Sequence, residues 1–190
     1  MLSCDEIRAL LSKRLSKERY AHSLRVAATA RELAERHGVQ AEAAERAGLW
    51  HDAYKELPVP EQIARAREKG ILTPEYEAHP HLLHGPLAAA CLPEDFGETD
   101  AEVLQAVRLH TTGDAGMSRL DMVVYLADLL EPEHDFPGAA RLRAAARVSL
   151  EGAMLAALEH TLQYLLQRGA WIDPKALRAR NALLPFRIKE

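Results

Sequence analysis

The stretch Lys17–Gly38, KERYAHSLRVAATARELAERHG, decides the fold class. Its apolar residues Leu24, Ala27, Ala28 and Leu33 recur at helical spacing, and Gly38 supplies the stop. Nothing in it shows the strict alternation of a strand. The same reading runs outward. Upstream, Ser3 with Glu6 forms a capping box for a helix carrying Ile7, Leu10, Leu11 and Leu15. Downstream, helices are expected over about Ala41–Trp50, Glu61–Lys69 after the break at Leu57–Pro60, and His84–Leu92 with Pro86 in the first turn. Thr99 with Glu102 reads as a second capping box, for a helix to His110, and Thr111–Met117 as a loop. Ser118 opens a strongly apolar helix to Glu131, where Pro132 ends it. Helices follow over Ala139–Arg147, Leu150–Gln167 and Asp173–Leu184. Ala, Leu, Glu and Arg dominate, aromatics are 5%, and the prediction is an all-α, single-domain helical bundle over residues 1–190.

Composition excludes several classes of function. The chain has 190 residues and a formal charge of −4, with a pI near 6.1. A nucleic-acid polymer is therefore not the expected partner, since backbone binders carry a basic excess. Two cysteines, Cys4 and Cys91, cannot build a disulfide scaffold and suit a reducing compartment. Met1–Ser12 is interrupted by Asp5, Glu6 and Arg8, unlike a signal peptide, and no apolar run is long enough to span a membrane. A soluble cytoplasmic protein is expected. Surplus apolar surface on the last two helices leaves two readings, a homodimer contact or closure of the core.

Nine histidines carry the chemical signal. His22 lies within a helix, His51 ends one beside Asp52, and His110 ends another. His37, His134 and His160 read as surface residues. In His79–His84 (HPHLLH), spacing alone does not choose among His79, His81 and His84. Asp128 stands between Leu126, Ala127, Leu129 and Leu130, in the most apolar helix. An unpaired buried carboxylate costs several kcal/mol, of order 3–5. Asp128 is thus protonated, hydrogen-bonded, paired with Arg108 or Arg119, or bound to a metal. Imidazole and carboxylate together suit first-row divalent ions, namely Fe, Mn, Co or Zn. Two such ions sharing a carboxylate and a water would hydrolyse a phosphate ester or anhydride.

At these residues the sequence resembles the HD superfamily of metal-dependent phosphohydrolases, whose ligand order His…His-Asp…Asp is filled by His22, His51–Asp52 and Asp128. The nearer resemblance is to the YqeK-type symmetrical bis(5'-nucleosyl)-tetraphosphatases. It is carried by Arg19–Val26 (RYAHSLRV), Ala47–Leu57 (AGLWHDAYKEL), His84–Ala88 (HGPLA), Leu109–Glu131 and Pro174–Leu184 (PKALRARNALL). Gly85–Pro86 after His84 selects that histidine.

The resemblance implies an HD-domain bundle with its ligand-bearing core at about 17–131 and C-terminal helices at about 139–184. It implies a di-iron centre: His22, His51, Asp52 and Asp128 on one ion, His84 and His110 on the other, and Asp52 bridging. Asp52 and Lys55 would be the catalytic residues, and His22, Arg25, Lys55, His84, Thr111, Arg180 and Asn181 the nucleotide contacts. The implied reaction is symmetrical cleavage of diadenosine tetraphosphate to two ADP by a metal-bridging hydroxide. An HD phosphohydrolase acting on a nucleoside mono- or triphosphate would use the same ligands. Two departures stand out: Glu56 replaces an aspartate after Lys55, and Asp114 follows Thr112–Gly113. An extra acid there would weaken polyphosphate binding or shift substrate preference.

Overall fold

The computed structural model describes residues 2–187, and among these the regular structure is helical. The helices are α1 (Cys4–Arg14), α2 (Lys17–His37), α3 (Ala41–Trp50), α4 (Val59–Glu68), α5 (Pro74–Ala78), α6 (His84–Phe96), α7 (Ala101–Leu109), α8 (Arg119–Leu130), α9 (Ala139–Val148), α10 (Leu150–Gln167) and α11 (Pro174–Ala182). Short 3-10 turns cover Pro80–Leu82 and Leu184–Phe186.

The centre is made by the two helices that are apolar on nearly every face. Every residue of α3 from Ala43 to Trp50 is buried, as is every residue of α8 from Leu120 to Ala127. Helix α2 packs on both, α7 packs on both from another side, and α6 packs on α7. Close approach of α2 to α3 depends on Gly48, where an added Cβ would lie 2.8 Å from the Ala27 Cα. Helix α10 closes the far side of α8 and carries α9 and α11. The buried charges on α3 are paired: Glu45 accepts from Arg8 and Arg31, and Arg46 meets Glu98 with Nε–Oε2 at 3.0 Å.

Most expected boundaries hold, with several corrections. The Ser3–Glu6 box is present, and α2, α3 and α10 run as the sequence predicts. Asp100, rather than Thr99, caps α7: its carboxylate accepts from the Glu102 and Val103 amides at 3.0 and 3.4 Å. Helix α6 continues past Pro93, because a proline near the last turn forfeits one backbone bond, and ends at Gly97, whose φ is 69°. Helix α4 starts at Val59, with Pro60 tolerated in its first turn, and α11 ends at Ala182, short of Leu184. Helix α5 and the turn after it were not expected. On α2 the buried face is Ser23, Val26, Ala27, Ala30, Leu33 and Ala34; Leu24 is half-buried and Ala28 exposed. Helix α10 buries Leu150, Met154 and Leu158 in closing the core, while Tyr164, Leu166, Leu177 and Phe186 remain exposed. Among the described residues, no helix is long and apolar enough to cross a membrane.

Candidate metal centre

The bundle brings six residues from five segments to one place. His22 projects from the middle of α2 and Asp128 from α8; His51 caps α3, Asp52 follows it, His84 opens α6 and His110 caps α7. His51, Asp52, His84 and His110 are buried, whereas the side chains of His22 and Asp128 keep 16% and 32% of their exposure. Asp128 is therefore reached from outside although its helix is central. No ion pair joins it to an arginine among the described residues. Arg119, one expected alternative, pairs with Glu151.

Three of the four imidazoles are oriented in one way. His51, His84 and His110 each return Nδ1 to the carbonyl three residues earlier, Gly48 at 2.7 Å, His81 at 3.0 Å and Val107 at 2.7 Å. Helix and turn ends leave such carbonyls without a partner, so a histidine placed there satisfies one of them. A carbonyl oxygen can only accept, so Nδ1 is the donor and the neutral ring turns its Nε2 lone pair inward. His22 is held differently, with Nδ1 3.3 Å from the carboxylate of Glu131.

The inward atoms form two sets around Asp52. The Oδ2 atom lies 3.4 Å from His51 Nε2 and 3.8 Å from His22 Nε2, and Asp128 Oδ1 lies 3.1 Å from His22 Nε2. The Oδ1 atom lies 3.2 Å from His84 Nε2 and 3.8 Å from His110 Nε2. Donors at about 2.0–2.2 Å from one ion are spaced roughly 2.8–3.6 Å along the edges of an octahedron or tetrahedron. The observed spacings fall close to that range. His84 and His110 also bring their Nε2 atoms to 3.0 Å, and His22 and His51 to 3.3 Å. Two inward lone pairs that close repel unless a proton or a metal cation lies between them. The donor set fits a divalent ion on each side of Asp52.

Electrostatics lean the same way. Burial opposes ionisation of Asp52, but His51 and His84 outweigh it and hold the carboxyl well below its usual range. Asp128 is likewise held far down, its enclosure overcome by His22 and His51. Burial would lower His51, yet Asp52 pushes it up to about 9; His110, buried and facing other imidazoles, falls to about 3. The carboxylates are thus kept charged and His110 neutral, as ligation requires, whereas at His51 a cation must displace the proton that Asp52 and Asp128 favour.

The remaining expected residues divide. Lys55 Nζ sits at 3.3 and 3.4 Å from the two ring nitrogens of His84, and the Thr111 hydroxyl is 3.1 Å from His110 Nε2. Arg25 is instead engaged by Glu131, at 2.7 and 3.1 Å, and by Glu133 at 3.1 Å. Arg180 holds Glu159 at 2.8 Å and touches Asn181, with no contact to the six-residue cluster among those described. His79 stacks on Trp171 at 4.4 Å, and His81 supplies only its carbonyl, so His84 alone of that trio joins the cluster. Glu56 accepts from the Ser16 amide and hydroxyl at 2.7 and 2.6 Å, and Asp114 is paired with Arg178 at 3.0 Å. Glu56 is therefore hydrogen-bonded, and Asp114 ion-paired, away from the cluster.

Sequence reasoning missed two residues. Arg19 donates to Asp52 Oδ2 at 2.8 Å, and Glu131 is buried beneath His22. Both lie inside quoted segments, but nothing local separates them from solvated charges.

Comparison with known proteins agrees with this geometry. The HD domain model matches residues 19–133. A symmetrical bis(5'-nucleosyl)-tetraphosphatase from Halalkalibacterium halodurans is 37% identical over 175 residues, covering 92% of this chain and 94% of the relative. Its Bacillus subtilis counterpart is 33% identical over 183 residues, covering 95% and 97%. A Clostridium acetobutylicum crystal structure, described as a predicted HD superfamily hydrolase involved in NAD metabolism, superposes with a TM-score of 0.93 at 35% identity, over 98% of this chain and 100% of that one. The chain belongs to the HD domain family, alongside relatives named as symmetrical bis(5'-nucleosyl)-tetraphosphatases.

Proposed function

We propose that this chain is a cytoplasmic di-metal phosphohydrolase that cuts diadenosine tetraphosphate symmetrically, consuming one water and giving two ADP. The observation that carries the reading is Asp52, whose two oxygens face separate sets of imidazoles. His22, His51, Asp52 and Asp128 would hold one ion; His84, His110 and Asp52 would hold the other. Iron is our assignment, and the donor set also suits Mn, Co or Zn. Two divalent ions supply Lewis acidity toward a phosphoryl oxygen and acidify a bound water.

The chain's own groups supply the rest. Substrate enters from the side where His22, Asp128, Arg19 and Lys55 retain exposure. The Lys55 ammonium, beside His84, offsets charge on the phosphoryl oxygens of the β-phosphorus under attack. Arg19 spends Nη1 on Asp52 and, with its Nε buried, has Nη2 left for a neighbouring phosphate. The bond from that phosphorus to the central bridging oxygen breaks, and the departing ADP carries the oxygen away. Thr111 borders the same space. Arg25 contributes by holding Glu131 under His22, which replaces its expected role as a phosphate contact.

The test is anaerobic purification, metal analysis and chromatography of the products, beside an Asp52→Ala control. Two ADP, about two ions per chain and an inactive control are expected. ATP plus AMP would overturn symmetrical cleavage. Turnover of a nucleoside mono- or triphosphate, with none of the dinucleotide, would favour the other HD phosphohydrolase reading.

A further inference from the structure

We propose that the two ion positions are unequal: the one formed by His22, His51, Asp52 and Asp128 fills first and tightly, Glu131 is the positioning residue that makes it so, and the one formed by Asp52, His84 and His110 fills second. This rests on the di-metal reading above.

Three observations carry it. The first concerns donors. His22, His51 and Asp52 form the first set, and Asp128 Oδ1, 3.1 Å from His22 Nε2 and 3.6 Å from His51 Nε2, adds a second carboxylate to that side alone. The second has three donors, and its one carboxylate is shared. Each added anionic oxygen strengthens the hold on a divalent cation, while a missing donor leaves a vacancy for water or substrate oxygen.

The second concerns what stands behind the donors. Three imidazoles rest on neutral carbonyls, and His22 alone rests on a carboxylate. A carboxylate behind a ligating imidazole fixes its tautomer and raises its basicity. Glu131 can do so because it is itself fixed, buried at 3% exposure and gripped by the Arg25 guanidinium and by the Glu133 amide at 2.9 Å.

The third concerns opposing charge. Lys55 lies 3.3 Å from His84 Nε2, against the second position. Arg19 lies 2.8 Å from Asp52 Oδ2, against the first. Arg19 keeps 33% of its exposure, so water screens it, and Asp128, which has no arginine partner among the described residues, offsets it. The second position therefore combines fewer donors, less negative charge and a nearby ammonium. It is the one completed by the phosphate oxygens of substrate.

The experiment titrates the metal-free full chain with Co2+ under anaerobic conditions, following heat and the visible absorption of bound cobalt together. Two steps separated by at least about tenfold are expected. Glu131→Gln keeps the shape and removes the charge; it should weaken the tight step by about 10–100-fold and leave the weak step in place. Lys55→Met should strengthen the weak step only, and it keeps the proposal testable should Glu131→Gln melt early. Two equal steps would overturn the inequality and leave the di-metal reading standing. Glu131→Gln weakening both steps alike would overturn the role of Glu131. No cobalt uptake at all would overturn the di-metal reading itself.

Discussion

Replacing Gly85 by alanine should remove one ion from the centre without touching a ligand. Gly85 follows His84 in the first turn of α6, and a Cβ built there lies 2.9 Å from the Val107 carbonyl oxygen, 3.0 Å from His110 Cε1 and 3.1 Å from His110 Nδ1. Ordinary contact begins near 3.4 Å, so α6 or the His110 ring must yield by about 0.3–0.5 Å. The Val107 oxygen is also the acceptor that orients His110, at 2.7 Å. The methyl group thus presses on both partners of one hydrogen bond. Metal–ligand distances tolerate about 0.2 Å, which is less than the displacement required. Overpacking of this kind costs about 1–3 kcal/mol, or roughly 3–10 °C in Tm for a chain of this size. The assay is metal analysis after dialysis, paired with thermal unfolding of the metal-free protein. Metal content should fall from about two ions toward one, because His22, His51 and Asp128 stand on other elements. A Gly85→Ala protein that keeps both ions and full activity would refute the reasoning.

Other predictions follow from the same geometry. Gly48→Ala meets backbone atoms of Ala27 at 2.8 and 3.1 Å, which cannot rotate away; urea unfolding should show a loss of about 1–3 kcal/mol, and an unchanged midpoint would contradict the close α2–α3 contact. Lys55→Ala should lower kcat by about 10²-fold with metal content retained, as expected for loss of one charge-stabilising donor; unaltered turnover would remove Lys55 from the mechanism. The Glu131 carboxyl is held at about 2, since Arg25 outweighs the effect of burial. A depressed folded value stabilises above the ordinary carboxylate range and is lost as pH falls through about 2. Metal-free wild type should therefore exceed Glu131→Gln in stability at pH 7, with the gap closing between about pH 4 and pH 2. A gap independent of pH would show that charge is not the cause.

The architecture was legible where local signals act alone. Ser3 with Glu6 caps α1 because both groups lie within one turn, and Gly38 ends α2 because its φ of 65° suits glycine. Legibility failed where two local signals competed. Thr99 and Asp100 stand side by side, and only the bend of the chain shows which reaches the amides of α7. Helix α5, five residues long, is too short to show a period.

The sequence by itself determined that the chain is helical and that its unusual residues are histidines and aspartates, some at helix ends and Asp128 within an apolar helix, because capping, propensity and burial cost act over a few residues. Family motifs then separated His84 from His79 and His81. Only the tertiary structure decided which charges share a space: that Asp52 turns one oxygen to each pair of imidazoles, that Arg19 pairs with it, that Glu131 stands under His22, and that Arg25, Arg180, Glu56 and Asp114 are engaged elsewhere. A charged side chain reads alike in sequence whether it faces water or a partner from another helix. Coulombic contact depends on distance in space, and that is set only when the bundle closes.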